Sequence, residues 1–286
     1  MVCCNACRAT KELGMLNIGQ LRNFNNSDLP AVIELSTLAG WNQTADDWRM
    51  LLELAPDGCF GMEVGGHVVS TATLLSYGDR LGWIGMVLTH PEFRHQGFAR
   101  ELFERVLAIA DSVGVKTLKL DATDQGQHLY ESYGFKSEQA IERWFRPGSL
   151  AREISEPSVE FTKLHQLDRE AFGADRSKLL EKLARRGRCC SDSAAYAFSR
   201  PGRSFLYLGP CVAESTEAAR QVLEMPIGEP NAGGWFWDLL PSNQNAVALA
   251  SELGFSPQRR LTRMFRGEEL KGNDQLVYAI AGFELG

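Results

Sequence analysis

The sequence predicts an α/β fold built from two tandem units, and three observations lead to this prediction. Apolar runs separated by glycine turns indicate an antiparallel meander over residues 59–88. A turn containing glycine then joins the last of these runs to a long amphipathic helix over residues 98–113. The stretch 120–146 recurs at an offset of 120 residues, with seven identities in one ungapped register. A linker between the units is expected at Pro147-Gly148-Ser149.

Before the meander we expect a short strand and two helices. Asp28 is the predicted N-cap of the first helix, which ends near Leu38. Thr44 is the predicted N-cap of the second helix, which covers residues 45–54. Both residues are short and polar, and such side chains can satisfy the unpaired N–H groups of a first helical turn.

The strands and the long helix follow from apolar spacing. Strands are expected at residues 59–64, 67–77, 81–88 and 116–120. On the helix that follows the meander, residues three or four positions apart should form one buried face. The predicted members of this face are Leu102, Val106, Ile109 and Val113.

Composition and charge disfavour several classes of function. The 286 residues carry a net charge of −6, which offers no general attraction to nucleic acid or to an anionic membrane. No run approaches the length of about 18 apolar residues that spans a membrane, so we expect a cytoplasmic protein. The seven cysteines include two adjacent pairs and are expected to be reduced. Cys4-x-x-Cys7 lacks a second pair with matching spacing, so no metal is expected.

The turn before the long helix has the features of an anion site. Its sequence is Arg94-His95-Gln96-Gly97-Phe98-Ala99. A helix N-terminus presents unpaired N–H groups and about half a positive charge, and a glycine lets an anion approach that backbone closely.

The spacing Arg-x-x-Gly-x-Ala resembles the coenzyme A signature of the GNAT superfamily of N-acetyltransferases. A second motif, Thr123-x-x-Gly126-x-x-Leu129-Tyr130-x-x-x-Gly134-Phe135, resembles the family's Asn-x-x-Ala-x-x-Leu-Tyr-x-x-x-Gly-Phe. Thr123 and Gly126 depart from that pattern. The resemblance implies two GNAT units, residues 16–146 and 150–286, each with a mostly antiparallel twisted sheet flanked by helices.

The second unit resembles the C-terminal domain of YitH-like tandem GNAT proteins. The residues that carry this likeness are Ala171-Phe172-Gly173-Ala174-Asp175-Arg176, Tyr196 to Gly202, Leu208-Gly209-Pro210 and Trp237-Asp238. The repeat offset places Glu214 to Ala219 where the first unit has its anion-binding turn. Two carboxylates and no glycine oppose a pyrophosphate there, so this unit is expected to bind no acetyl-CoA.

The resemblance also implies the site residues of the first unit. The cofactor's pantetheine arm would pair with the backbone of Val87, Leu88 and Thr89, and Thr123 would contact the cofactor. Its pyrophosphate would lie on the N–H groups of residues His95, Gln96, Gly97, Phe98, Ala99 and Arg100, with charge from Arg94 or Arg100. Tyr130 matches the phenol that protonates the departing thiolate; a tyrosine of the core is the other interpretation.

For the acceptor pocket the sequence offers weaker candidates. Trp41 lies in the loop where GNAT proteins shape this pocket, and the second unit could contribute Asp175, Arg176, Tyr196 and Asp238. The general base is open: Glu63, Asp79 and Asp121 read as surface acids, His90 precedes a proline, and His128 reads as exposed.

The function that the resemblance implies is transfer of an acetyl group from acetyl-CoA to a primary amine by direct attack in a ternary complex. A small-molecule amine is favoured because a second unit beside the site should narrow access. The alternatives are a protein N-acetyltransferase and a non-catalytic acyl-CoA-binding sensor. GNAT proteins often pair through sheet edges, so a homodimer is the expected assembly.

Overall fold

The computed structural model describes residues 19–148, 161–228 and 233–286. Cys3, Cys4, Cys7 and the predicted unit starts at residues 16 and 150 lie outside these ranges. The domain boundaries therefore stay a prediction, and "first unit" and "second unit" below mean the described residues before and after the gap at 149–160.

The first unit begins with a strand and two helices, continues with a three-stranded meander, and then places a helix before each of its last two strands. They are β1 Gln20–Asn23, α1 Leu29–Leu38, α2 Ala45–Leu54, β2 Cys59–Val64, β3 His67–Tyr77, β4 Leu81–Thr89, α3 Phe98–Ser112, β5 Thr117–Ala122, α4 Asp124–Ser132 and β6 Lys136–Arg146. The bounds predicted for α2, β2 and β3 are confirmed.

The second unit repeats this order from the two helices onward and adds a short strand at its end. Its elements are α5 Phe161–Phe172, α6 Ser177–Arg186, β7 Arg188–Ser191, β8 Ala195–Arg200, β9 Leu206–Ala213, α7 Thr216–Ile227, β10 Trp235–Leu239, α8 Gln244–Glu252, β11 Ser256–Gly267 and β12 Val277–Ala279.

Two local expectations need correction. Asp28 precedes α1 but makes no capping bond to it, because its carboxylate accepts from Arg22 and from the N–H of Asn25. Val113 is 59% exposed, because α3 ends at residue 112 and Val113 lies beyond its last turn. The buried face of this helix consists of Phe98, Leu102, Phe103, Val106, Leu107 and Ala110.

The two units share one continuous twelve-stranded sheet. Its order is β1-β2-β3-β4-β5-β11-β6-β10-β9-β8-β7, and β12 pairs with β9. β11 of the second unit lies between β5 and β6 of the first, and β6 lies between β11 and β10. The two units therefore exchange one long strand each: β11 is placed in the first unit's part of the sheet, and β6 in the second unit's part. The sequence predicted two sheets, and nothing in its local pattern shows which strands pair across the repeat.

A buried ion pair joins each exchanged strand to the other unit. Arg143 of β6 faces Asp238 of β10, with N···O distances of 2.7 and 2.6 Å. Arg263 of β11 faces Asp121 of β5 at 2.9 and 3.0 Å. The Asp121 side chain is fully buried, so its interpretation as a surface acid is wrong.

β4 and β5 diverge along their length. They pair in parallel only at residues 81–83 and 117–119, so beyond Trp83 no strand in the described part of the chain covers this edge of β4. Opposite Ala72 of β3, β4 carries one extra residue, and Met86 has a φ of +50°. Such a bulge bends the strand, and the result is a wedge-shaped gap between β4 and β5.

Three further findings concern the described residues as a set. None of their helices is both long and apolar enough to cross a membrane. No group of three or more His, Cys, Asp or Glu side chains among them is arranged to hold a metal ion. The cysteines that the structure describes, Cys59, Cys189, Cys190 and Cys211, are free thiols.

Candidate active site

The turn that opens α3 presents a row of free backbone donors. Within the described ranges, none of the N–H groups of residues 95–100 donates a hydrogen bond, and the next one, Glu101 N–H, donates to Gly97 O at 3.1 Å. His95 and Gly97 both have left-handed backbones, with φ of +63° and +88°. This backbone turns the N–H groups outward at a helix N-terminus, which is the geometry that holds phosphate groups.

The two arginines beside this turn differ in whether their side chains already have a partner. Arg94 Nε donates to Thr89 O at 3.3 Å, which ties that side chain to the end of β4. Arg100 is exposed and makes no ion pair with the part of the chain that the structure describes. Arg100 is therefore the freer of the two cations predicted to meet a pyrophosphate.

The free edge of β4 leads from this turn into a cavity. Leu88 O and Thr89 Oγ1 both bond to Ser70 Oγ of β3, at 2.7 Å each, so these contacts fix the opposite side of the strand. Val87 lines the cavity together with Met86 at the bulge. The edge predicted for pantetheine thus borders open space instead of a strand.

Tyr130 lies in the wall of this cavity, which has a volume of about 90 Å³. Its ring packs against Phe103 and Phe135, with centroids 5.0 and 6.3 Å away. Its hydroxyl makes no hydrogen bond within the described ranges. Burial raises the pKa of the phenol to about 12. The side chain therefore belongs to the core and to the cavity at once.

The two departures from the family motif have visible local effects. Thr123 is the N-cap of α4, where Thr123 Oγ1 accepts from Gly126 N–H at 3.3 Å, and Thr123 also lines the cavity. A Cβ built at Gly126 would lie 3.0 Å from Tyr130 Cε2, which is tighter than ordinary packing. Glycine at this position gives the Tyr130 ring the space that an alanine would occupy.

The second unit supplies part of the cavity wall, but through residues that the sequence analysis did not single out. Arg259 and Leu261 come from β11, and Phe283 and Glu284 come from the segment after β12. This last segment has neither strand nor helix periodicity, so no pattern in the sequence marks it as part of a site.

Three contacts with the first unit hold this segment in place. Trp83 Nε1 donates to Phe283 O at 2.9 Å, and Tyr77 O–H donates to Leu285 O at 2.6 Å. A Cβ at Gly85 would lie 3.0 Å from Glu284 Cα, so only glycine allows β4 and the segment to approach this closely. Glu284 is thereby fixed at the cavity that Tyr130 also lines.

Two buried polar atoms of residues that line the cavity, and three of residues that do not, have no hydrogen-bond partner among the described residues. They are Gln43 Oε1, Glu284 Oε1, Arg200 Nε and Nη2, and Tyr207 Oη. Arg200 Nη2 and Glu284 Oε1 are 3.6 Å apart, close enough for charge attraction but too far for a hydrogen bond. Buried polar atoms are normally paired, so such a cluster requires an explanation.

The residues predicted for the acceptor pocket divide into two groups. Trp41 lines the cavity, and Asp238 acts on it indirectly by holding Arg143, which lines it too. Asp175 is not at this cavity, because it is exposed and bonds to Arg169 and to Ser177 N–H.

Two further residues predicted for the pocket belong to a buried network elsewhere. Tyr196 O–H and Arg176 both donate to Asp168, and Arg176 Nη1 also donates to Gly286 O at 2.7 Å. Arg176 lines a larger cavity of about 340 Å³, and Tyr130 is not among the residues around that cavity. The larger space is therefore distinct from the candidate active site.

The corresponding gap in the second unit is filled by the chain itself. β12 pairs with β9, and Ile280 N–H donates to Asp238 O of β10 at 2.9 Å, so this segment lies between the two strands. Ser215 caps α7 by accepting from Ala218 N–H. The Asn243 amide group donates to the carbonyls of residues 274, 275 and 277. The final segment therefore occupies the groove between β9 and β10, and Asn243 is used for hydrogen bonds to that segment.

Two comparisons with protein families agree with the tandem arrangement. Residues 23–135 match the model of the acetyltransferase (GNAT) family, and residues 164–279 match that of an acetyltransferase (GNAT) domain. The chain is 26% identical over 221 residues to the uncharacterized N-acetyltransferase YitH of Bacillus subtilis, covering 72% of this chain and 77% of that protein.

Solved structures share the fold across both units. A candidate acetyltransferase from Pyrococcus horikoshii superposes with a TM-score of 0.83 at 21% identity, covering 95% of this chain and 97% of that one. A tandem GNAT protein of the clavulanic acid biosynthesis pathway superposes with a TM-score of 0.61 at 14% identity, covering 87% and 98%. With two GNAT matches in one chain, the protein is a tandem member of the GNAT family of acyl-CoA-dependent acetyltransferases.

Proposed function

We propose that the first unit binds acetyl-CoA and transfers its acetyl group to the primary amine of a small molecule. The observation that carries this proposal is the alignment of three features along one path. Free N–H groups at residues 95–100 lead to the uncovered edge of β4, and that edge leads to the cavity of Tyr130.

The turn at residues 95–100 would hold the pyrophosphate. Six outward N–H groups and the positive end of α3 suit an anion, and Arg100 adds a charge without first breaking an ion pair. The uncovered edge of β4, at Val87 and Thr89 on either side of Leu88, would then pair with the amides of the pantetheine arm, while Leu88 O stays bonded to Ser70 Oγ of β3. This arrangement aims the thioester at the cavity.

Chemistry at the thioester requires alignment, a proton acceptor for the amine and a proton donor for the sulfur. Tyr130 is the proposed donor, because its raised pKa keeps the phenol protonated at every working pH. Apolar packing disfavours an anion on either atom, so the phenol would give up its proton only as the thiolate forms beside it. The nitrogen attacks directly, and the sulfur leaves within one ternary complex.

The size and walls of the cavity support a small acceptor. The cavity has a volume of about 90 Å³, and side chains from both units line it. Residues from β11 and from the segment after β12 close the side that faces the second unit.

Calorimetric titration with acetyl-CoA tests this proposal. We expect about one equivalent to bind, and Gly97→Glu to abolish binding because it places a carboxylate among the six N–H groups. Gly114→Glu is the matched control: Gly114 also has a left-handed backbone (φ +73°) and no atom within 4 Å of the place that a Cβ would take, but it lies at the other end of α3. Glu217→Gly, in the second unit, should leave binding unchanged.

Either of two results would overturn the one-site arrangement: no binding, or two equivalents. A binding protein without catalysis would titrate in the same way but release no coenzyme A when amines are added. Measuring coenzyme A release in the same samples separates the enzyme from the sensor.

A further inference from the structure

Two residues that line the active-site cavity each carry one buried side-chain oxygen without a hydrogen-bond partner in the described residues. Gln43 Oε1 and Glu284 Oε1 belong to side chains that are each 4% exposed, and neither atom has a hydrogen-bond partner in the described residues. Both side chains line the same cavity as Tyr130. Arg200 Nη2 lies 3.6 Å from Glu284 Oε1 and compensates part of its charge, but neither oxygen has a hydrogen-bond donor in the part of the chain that the structure describes. Such acceptors are complementary to a group that carries several N–H bonds, such as a primary ammonium.

Positive charge lies at the same cavity. Arg143 uses Nε and Nη2 for Asp238, which leaves Nη1 without a hydrogen bond in the described ranges. Arg259 lies on the neighbouring strand at the rim and has no ion-pair partner among those residues. Burial and, after it, the charge of the nearby Arg143 lower the pKa of Arg259, and Asp238 opposes this shift. A carboxylate between these two guanidinium groups would relieve their repulsion.

We infer that this cavity is an acceptor subsite for a small amine that also carries a carboxylate, with Glu284 as the proton acceptor and Arg259 as the carboxylate contact. The inference rests on the proposed function. Gln43 and Glu284 receive the ammonium end, and Arg143 and Arg259 receive the acidic end. The second unit thus contributes catalysis and specificity to a site whose cofactor groove lies in the first.

The proton balance of this arrangement is complete. Glu284 takes one proton from the ammonium group, and the free nitrogen attacks the thioester carbon. The C–N bond forms, the C–S bond breaks, and Tyr130 gives its proton to the sulfur. Tyr130 recovers a proton from the amide nitrogen through water, and Glu284 releases its own to solvent. The products are the N-acetyl compound, free coenzyme A and one proton.

Matched acceptor pairs test the inference: glycine and glycinamide, alanine and alaninamide, β-alanine and β-alaninamide. Each amide keeps the amine and the size but loses the negative charge. The acetylated product is measured by chromatography for the full chain at saturating acetyl-CoA. We expect kcat/KM to be about tenfold higher for the acids, the effect of a charge-assisted contact of about 1.4 kcal/mol.

Three variants assign the roles. Arg259→Gln should raise KM for the acids about tenfold and leave the amides unchanged. Arg260→Gln is its control, because Arg260 is the adjacent residue, its side chain is 71% exposed, and it does not line the cavity. Glu284→Gln keeps the shape of the side chain but cannot accept a proton, so kcat should fall about 10²-fold or more on every acceptor.

The outcomes separate the two claims. If the wild-type protein binds acetyl-CoA but acetylates the amides as well as the acids, or none of the six compounds, the inferred subsite is wrong and the cofactor proposal stands. Equal effects of Arg259→Gln and Arg260→Gln, or an unchanged kcat in Glu284→Gln, also overturn the inference. If acetyl-CoA itself does not bind, the proposed function fails and the inference fails with it.

Discussion

Replacing Asp238 by asparagine tests how strongly the exchanged strands depend on their buried ion pairs. Arg143 donates two hydrogen bonds to Asp238, and the two side chains are 8% and 2% exposed. Asparagine keeps the shape but removes the charge and turns one acceptor into a donor. Removing one partner of a buried pair leaves the other charge uncompensated, so we expect the free energy of unfolding to fall by about 3–5 kcal/mol.

Asp111→Asn is the matched control for this change. Asp111 also pairs with an arginine of the other unit, Arg266, but at 3.5 Å and with side chains 60% and 33% exposed. Solvent screens such a pair, so its loss should change stability by about 0–1 kcal/mol. The double variant Arg143→Met with Asp238→Leu should recover much of the loss, because no unpaired charge then remains buried.

Urea unfolding, followed by tryptophan fluorescence and far-UV circular dichroism, measures these differences. With an m value of about 3 kcal/mol/M, a loss of about 4 kcal/mol lowers the midpoint by about 1.3 M. Because β6 and β11 are each flanked by strands of the other unit, both probes should report one transition. An equal shift in Asp238→Asn and Asp111→Asn would refute the argument from burial, and two separate transitions would refute the mutual dependence of the units.

Two further predictions concern catalysis. Tyr130→Phe should lower kcat about 10²-fold or more while calorimetry shows an unchanged Kd for acetyl-CoA, because the phenol acts on the leaving sulfur and not on the cofactor's phosphates; an equal loss of affinity would contradict that role. Burial raises the pKa of Glu284. The charge of Asp47 adds to this rise, and the charges of Arg200 and Arg143 oppose it. Since only the carboxylate accepts a proton, kcat/KM should fall as the pH drops through a value above the usual one for glutamate, about 4.3. That acidic limb should be absent from the pH profile of Glu284→Gln.

Much of the fold could be predicted from the sequence because local patterns determine it. Thr44 caps α2 as expected, and its capping box with Asp47 depends on a spacing of three residues. The left-handed backbone at Gly97 could likewise be anticipated, since glycine adopts it without strain. Such features involve neighbours in the chain, and a single sequence records them well.

The exchanged strands could not be predicted in the same way. The repeat shows that residues 136–146 and 256–266 are equivalent, but pairing across the repeat and pairing within each unit satisfy the same apolar pattern. Asp121 and Asp238 looked like candidates for other roles because their arginine partners lie on distant strands.

The same distinction between local motifs and long-range contacts applies to the candidate site. The cofactor turn and Tyr130 belong to short motifs, so resemblance was enough to propose them. Gln43 and Glu284 are 241 positions apart in the chain and meet only because the segment after β12 lies against Gly85. No residue type or spacing in that final segment distinguishes a site residue from a loop residue.

The strand exchange has a consequence for synthesis on the ribosome. When the first unit has emerged, the place between β5 and β6 is still empty, because β11 has not yet been translated. Unpaired strand edges readily bind other chains, so a nascent or truncated chain of this kind is exposed to aggregation. Glu284 is translated after every strand of the sheet, so the ribosome completes the acceptor side of the site last.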